Sequence, residues 1–474
     1  MSDALEKRIK KHIIGKPHRF LAISPLGFEQ TLARELDCIL GESATELPHV
    51  TGDGKVEFTT KLTEAWKAVA VSRIANRVLM EVASFKAENF RELEKKASEI
   101  PWELYLDERT GKALQTRDES IIPSNSKLVT SNLPHIHVTC KHSRLYHSDA
   151  IAERLYNVIA QSNIPQSEAS SEGKARPHTP KPDSSGDPIP QNLYVNFLDD
   201  RCTIWLDLAG EELYKRGFER FVNDAPLKET IASAMIFEAL HFLPSTSYSL
   251  LDLMAGSGTF SLEAACIANK IIPGTCRDFA LKHQPAFKEA TWNFITRSVT
   301  LNEVKDPVKS CNATKHPIIA KIITSDISER AVNIIKHNIE CSPLAQIEPA
   351  PIAPQQKDFF SYSAKEIADA CGDSSPILVL NPPYGKRLDF DAPKLYTQIG
   401  KKLTELARDL RNLGKSLTVA ILAPKDDTRD GAKYTCTANL LRECPALSTE
   451  INPTAKVVQT SHGGFSLNAF FATI

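Results

Sequence analysis

The 474-residue sequence predicts an α/β protein in which a C-terminal, mainly parallel sheet covered on both faces follows a smaller α+β region. Three observations carry that expectation. Apolar runs at 248–252, 318–326 and 377–380 each end on or next to an acidic or asparagine residue, with helix-patterned stretches between them. Residues 20–71 follow the shorter order strand, helix, strand, helix, the size of a ferredoxin-like unit. The length itself exceeds what one core supports, so two or three domains are expected.

A hydrophobic fraction of 42% and a charged fraction of 24% describe an ordinary soluble protein. The formal net charge of -1 excludes a polyanion-binding argument from global charge, so any nucleic-acid surface has to be a local patch. The 10 cysteines stand singly, with no Cys-x-x-Cys, and read as reduced thiols of a cytoplasmic protein. No run of about 18 apolar residues occurs. No signal-like segment follows Met1, so neither a membrane nor a secreted location is expected.

Along the chain, 6–12 is basic and reads as a solvated, partly frayed terminus sooner than as an RNA-contacting arm. Residues 20–23 and 56–58 alternate like strands, while Leu32, Leu36 and Ile39 within 27–40, and the run 62–71, have helical spacing. A second unit begins with a strand near 74–84 and a helix over 89–98, then a strand at 135–140 and a helix at 150–160. His135 and His137 share a strand face, but with no third ligand nearby no metal is expected. The stretch 161–190 is rich in Ser, Pro, Gly and charge, with little to bury, and reads as a mobile insertion or linker. Two strands flank Asp199-Asp200-Arg201 as a hairpin. In 215–221, Lys215, Arg216 and Arg220 interleave with Phe218 and Phe221, a composition suited to phosphate and base contacts and equally to a loop anchored by two phenylalanines. Asp224 or Ala225 then caps a helix with Pro226 in its first turn, running to about Phe242.

Residues 248–259 run from an apolar strand through Ala255-Gly256-Ser257-Gly258-Thr259 into an alanine-rich helix, which sets bare backbone N–H groups and a positive helix end beside a ligand. A dinucleotide site fits poorly, because its third glycine would fall at Ser261 and no acidic strand end follows at the right distance. S-adenosylmethionine fits better. Its carboxylate suits the glycine turn, Asp252 its ammonium, Asp326 both ribose hydroxyls and Asp358 the adenine amine. The fourth strand end is Asn381-Pro382-Pro383-Tyr384. The Asn381 side-chain oxygen and the Pro382 carbonyl are two acceptors matched to the hydrogens of a planar NH2 group, and the Tyr384 ring offers a stacking face. Guanine N2, adenine N6 and a glutamine amide all satisfy this turn, and so does a stiff strand end without chemistry.

Lys215-Arg216-Gly217-Phe218, Ala-Pro-Leu-Lys-Glu-Thr at 225–230 (with Lys228), the string at 251–259, Ser325-Asp326-Ile327 and Asn381-Pro382-Pro383-Tyr384-Gly385 together resemble THUMP-domain RNA guanine-N2 methyltransferases, most closely the bacterial branch acting on large-subunit ribosomal RNA. The resemblance implies three regions: a ferredoxin-like part at 1–72, a THUMP RNA-binding module at 73–214 carrying the flexible insertion, and a Rossmann-like methyltransferase at 215–474 with an antiparallel last strand. It also implies an elaboration over 272–292. Some relatives carry a second methyltransferase domain, which is not expected here because the sequence ends at Ile474. Carried onto these motifs, it implies S-adenosylmethionine contacts from Asp252, Ala255 to Thr259, Asp326, Ile327, Asp358 and Asn381. Catalysis falls to Asn381, Pro382, Pro383 and Tyr384, and RNA contacts to Lys215, Arg216, Arg220 and Lys228. No metal and no membrane partner are expected. The alternatives are a transfer-RNA guanine-N2 enzyme, an adenine-N6 enzyme on DNA or RNA, and an RNA-binding protein without catalysis.

Overall fold

Among the described residues, two seven-stranded sheets organise the chain. The computed structural model describes residues 3–106, 134–162, 191–222, 226–241, 247–301, 318–384, 391–426 and 435–474.

The basic opening segment is not a solvated tail. Asp3–Ile9 (α1) is helical and continues through a wider turn to Ile14, burying Leu5, Ile9 and Ile13. Those residues recur every fourth position, so one face is apolar while the cations point outward. Arg8, for example, meets Glu103 at 2.7 Å.

The next elements are β1 (Pro17–Ile23), α2 (Glu29–Leu40), β2 (Ala44–Gly52), β3 (Lys55–Lys61), α3 (Leu62–Val71) and β4 (Arg77–Lys86). Their strands lie in the order β2-β3-β1-β4, all antiparallel, a ferredoxin-like unit. Strand β4 lies beyond the boundary expected after residue 72 and pairs on both edges, with β1 on one side and, on the other, with the outer strands of the same sheet.

Those outer elements are α4 (Phe90–Ser98), β5 (His135–Lys141), α5 (Ser148–Gln161), β6 (Asn192–Leu198) and β7 (Arg201–Asp207). Asn89 caps α4 by accepting from Glu92 N at 3.0 Å, and the Glu92 carboxylate accepts in return from Glu88 N at 2.9 Å. The β6–β7 turn is Asp199-Asp200, both at positive φ (49° and 62°), the left-handed pair that a two-residue hairpin requires and that aspartate tolerates. The insertion expected at 161–190 lies, beyond Ser162, outside the described residues.

The second half comprises α6 (Glu229–His241), β8 (Ser247–Asp252), α7 (Thr259–Ala268), α8 (Glu289–Leu301), β9 (Ile318–Asp326), α9 (Glu329–Glu340), β10 (Gln355–Gln356), α10 (Ala364–Cys371), β11 (Ser375–Leu380), α11 (Ala392–Asn412), β12 (Thr418–Pro424), α12 (Cys436–Glu443), β13 (Lys456–His462) and β14 (Phe465–Thr473). The strand order is β10-β9-β8-β11-β12-β14-β13. Strands β8 to β12 run parallel, and β14 is inserted antiparallel beside β12 with β13 on its far edge. Pro226 does not enter the first turn of α6. The helix starts at Glu229, and the carbonyl of Pro226 accepts from His462 Nε2 at 2.8 Å, which draws the preceding chain towards the β13–β14 hairpin. Asp224, Ala225 and Phe242 lie outside the described residues.

One apolar cluster runs without a break from the ferredoxin-like unit into the second half, joining Leu5, Phe20, Trp66, Met235, Tyr248 and Phe471. The elaboration over 272–292 seals this junction. Phe287 lies 5.6 Å from the Trp66 ring, and Arg277 donates to the carbonyls of Glu211, Glu212 and Lys215. By contrast α4, α5 and strands β5 to β7 enclose a core of their own, around Trp102, Leu155 and Phe197.

Candidate functional site

Parallel strands deliver their last residues to one edge of a sheet, and four polar residues meet there. Asp252 ends β8 opposite Thr324 of β9, Asp326 ends β9 opposite Gln356 of β10, Asp358 follows β10 by two residues, and Asn381 follows β11.

The turn between β8 and α7 is held from below. Gly258 has φ +78°, and a Cβ there would sit 3.0 Å from the Ile335 side chain, so both conformation and close packing require glycine. Asp326 ties this turn to the start of α9: its Oδ2 accepts from Gly256 N at 2.8 Å and its Oδ1 from Ser328 N at 2.9 Å. The neighbouring Ile327 is 67% exposed and lays an apolar face beside that carboxylate. Asp252 is 1% exposed and lies under the turn, where Oδ2 accepts from Ser261 N at 3.1 Å and Ser261 Oγ at 2.7 Å. Burial pushes its carboxyl up to about 7; the Ser261 hydrogen bonds oppose this and the charge of Asp326 adds to it. Asp358 caps a short 3-10 turn through Phe360 N at 3.0 Å.

The acceptor turn differs. Asn381 Oδ1 is buried and has no hydrogen-bond partner among the described residues. Pro382 is buried and Pro383 exposed, so the double proline fixes the chain direction while Tyr384 swings back against the core. The Tyr384 ring meets Phe465 edge-on, centroids 5.8 Å apart at 72°. Gly385 lies outside the described residues. Sequence reading missed Phe465, because nothing local reveals that the Gly463-Gly464 turn brings the first residue of β14 to the end of β11.

The basic string behind the glycine turn has a different role from the one its composition suggested. The Arg216 side chain is 3% exposed and forks onto Glu263 of α7, Nε to Oε1 and Nη2 to Oε2, both at 3.0 Å. It has no surface for phosphate. Arg73 Nη1 (3.4 Å) and Ser233 Oγ (2.6 Å) complete the cage around Glu263. Burial disfavours the charged carboxylate, but Arg216 and Arg73 outweigh it and hold Glu263 below the usual carboxylate range. A lone acid in an alanine-rich helix was the signal that a buried cation would join it. Arg220 is likewise turned inward, donating to Glu229 and, at 3.0 Å, to Thr259 Oγ1 beside the glycine turn; burial draws its guanidinium down to about 10. Lys215 pairs with Glu211 at 2.8 Å, and Lys228 lies over the Tyr214 ring and 3.5 Å from Glu212. Those two lysines remain at the surface.

The strap 215–222 is fastened to α9 by Asn338, which accepts from Phe221 N (2.8 Å) and donates to the carbonyls of Phe221 (2.9 Å) and Ser257 (3.1 Å). Nicotinamide geometry finds no support, since Ser261 points beneath the turn to Asp252 rather than opening a third glycine position.

Comparison with known proteins gives consistent findings. Residues 216–425 match the model described as RMKL-like, methyltransferase domain, and residues 19–79 match the RlmL ferredoxin-like domain. A ribosomal RNA large subunit methyltransferase K/L from Allochromatium vinosum is 27% identical over 449 residues, covering 92% of this chain and 52% of that protein. A putative RNA methyltransferase, YpsC, from Bacillus subtilis is 27% identical over 394 residues, covering 82% and 86% of the two chains. The chain spans about half the length of the K/L relative it matches. Among solved structures, a possible methylase from Clostridium difficile 630 superposes with TM-score 0.65 at 21% identity over 96% of this chain and 98% of that one, which establishes the shared fold.

Proposed function

We propose, from the match of residues 216–425 to the RMKL-like methyltransferase domain and of residues 19–79 to the RlmL ferredoxin-like domain, that the protein methylates the exocyclic N2 of a guanine in structured RNA, large-subunit ribosomal RNA foremost. What carries this reading is Asn381 Oδ1, a buried acceptor without a partner among the described residues, at the same sheet edge as Asp252, Asp326 and Asp358. A buried acceptor costs about 1–3 kcal/mol when unmet, and this supports a ligand that brings the donor.

When bound, S-adenosylmethionine supplies an electrophilic methyl group on a positively charged sulfur. Its fit to the site rests on the residues present. Asp326 has lone pairs left for two ribose hydroxyls while it keeps Gly256 and Ser328. Ile327 gives a flat apolar flank, Asp358 an acceptor for the adenine amine, and a Cβ at Gly256 would meet nothing within 4 Å, which leaves room along the turn. Ionised Asp252 attracts the donor ammonium from beneath.

On the acceptor side, Asn381 Oδ1 and the Pro382 carbonyl accept the two N2 hydrogens of the guanine. That arrangement favours a more pyramidal nitrogen and aims its lone pair at the methyl. Tyr384 stacks on the base once it is swung out of the RNA, and Phe465 braces Tyr384 edge-on. The proton left on the alkylated amine is acidic and passes to water, so no strong base is required. The outer strands and helices of residues 73–214 serve as the THUMP module that grips RNA. An RNA substrate of this kind would place the protein in the cytoplasm. No helix among the described residues is long and apolar enough to cross a membrane.

The test is methyl transfer from labelled donor to unmodified ribosomal RNA, transfer RNA, DNA and a protein carrying an exposed glutamine, followed by digestion. N2-methylguanosine from ribosomal RNA is expected. Label confined to adenine or to protein overturns the reading, and label confined to transfer RNA overturns the ribosomal assignment.

A further inference from the structure

Where the strap 215–222 crosses the end of α9, three side chains with metal-binding chemistry meet. A Glu219 carboxylate oxygen, a His337 ring nitrogen and Cys341 Sγ all lie within 4.8 Å of one another. His337 and Cys341 are four residues apart at the C-terminal end of α9, so they share one face of the helix. Their Nε2 and Sγ are 3.4 Å apart. Zinc bonds of about 2.3 Å to sulfur and 2.0–2.1 Å to nitrogen, set at the tetrahedral angle, separate the two ligands by about 3.5 Å. The pair is thus spaced as two corners of a zinc tetrahedron. The Phe221 ring lies on the His337 ring at 3.9 Å and 18°, which fixes the imidazole plane. A thiolate, an imidazole and a carboxylate form a borderline-soft set that suits zinc and not magnesium or calcium.

We propose that Glu219, His337 and Cys341 bind a zinc ion, with water in the fourth position. The sequence alone gives no expectation of a metal at this place, because the carboxylate comes from a segment far upstream and no local spacing announces the set. On binding, the Cys341 thiol proton passes to solvent and the thiolate coordinates, with no change of oxidation state. The ion joins the strap to α9 next to the donor turn, because Asn338 beside His337 holds the carbonyl of Ser257, and Arg220 beside Glu219 reaches Thr259. Its role is that of a structural clasp, and it does not depend on which nucleotide is methylated.

The test titrates the metal-free full chain with Co2+, a spectroscopic stand-in for zinc. A thiolate-to-cobalt charge-transfer absorption with four-coordinate visible bands, displaced by Zn2+, is expected. Cys341→Ser should abolish the charge-transfer band and His337→Gln should weaken binding, each with an unchanged circular dichroism spectrum. Cys276→Ser, which removes an exposed cysteine elsewhere, should leave the titration unaltered. Zinc should also raise the melting temperature of the wild type and not of Cys341→Ser. The proposal is overturned if the wild type gives no charge-transfer band, or if the band survives Cys341→Ser.

Discussion

The donor turn and the acceptor turn occupy one sheet edge and are built in opposite ways. Around the donor turn the carboxylates are engaged: Asp326 by two backbone N–H groups, Asp252 by Ser261, and Glu263 beneath them by two arginines and a serine. At the acceptor turn, a few ångströms of sheet away, Asn381 Oδ1 is buried and unmet among the described residues. The difference separates two kinds of importance. Donor-side carboxylates are tied into the fold by hydrogen bonds, whereas Asn381 Oδ1 makes none among the described residues, as the acceptor role proposed for it requires.

That contrast can be broken by measurement. The largest effect is expected from Glu263→Gln, which strands Arg216 and Arg73 in the interior and should destabilise the chain by about 3–5 kcal/mol in denaturant unfolding. A loss below about 1 kcal/mol would show that the cage is not structural. Asn381→Ala should lower kcat by about 100-fold to 1000-fold. Its melting temperature should stay level or rise, since an unmet acceptor is removed. Full activity, or clear destabilisation, would put the two turns in the same class.

Asp252 gives the next effect, on the order of 3 kcal/mol between pH values of about 4 and 7. Because burial raises its pKa from 3.8 to about 7, the folded chain holds a proton that the unfolded chain releases earlier. Stability therefore falls as pH climbs through that window. Asp252→Asn should flatten the slope of stability between pH values of about 4 and 7, and an unchanged slope rules out the assigned burial effect. In the wild type the same titration should tighten donor binding as pH rises past about 7, when the carboxylate forms. The smallest effect is expected from Phe465→Ala, about 0.5–1.5 kcal/mol in kcat/KM through loss of the edge-on brace on Tyr384, with donor affinity unaltered.

What the sequence disclosed follows the same division. The strand-end residues were legible because an apolar run that stops at a glycine turn or a double proline carries its own punctuation, and Asp252, Asp326 and Asn381 do converge at one edge. Local spacing also located α3 and the β6–β7 hairpin. The failures share a cause, which is that direction of pointing is set by partners remote in sequence. Arg216 reads as a surface cation until Glu263 is placed behind it. The opening segment reads as polar until Leu5, Ile9 and Ile13 are seen to line one helix face. The edge between the first two regions has no mark in the sequence, because β4 pairs with strands on both sides of it.

The shared apolar cluster that joins Trp66 and Phe287 across the two halves has a thermodynamic corollary. Regions with a common interior lose their packing together, so the ferredoxin-like unit and the second sheet are expected to unfold as one cooperative block in calorimetry, distinct from the separate core around Trp102. Such a chain resists dissection: residues 216–425 expressed alone would expose the face of α6 that Phe28 and Phe471 help to bury, and would not stand as an autonomous enzyme.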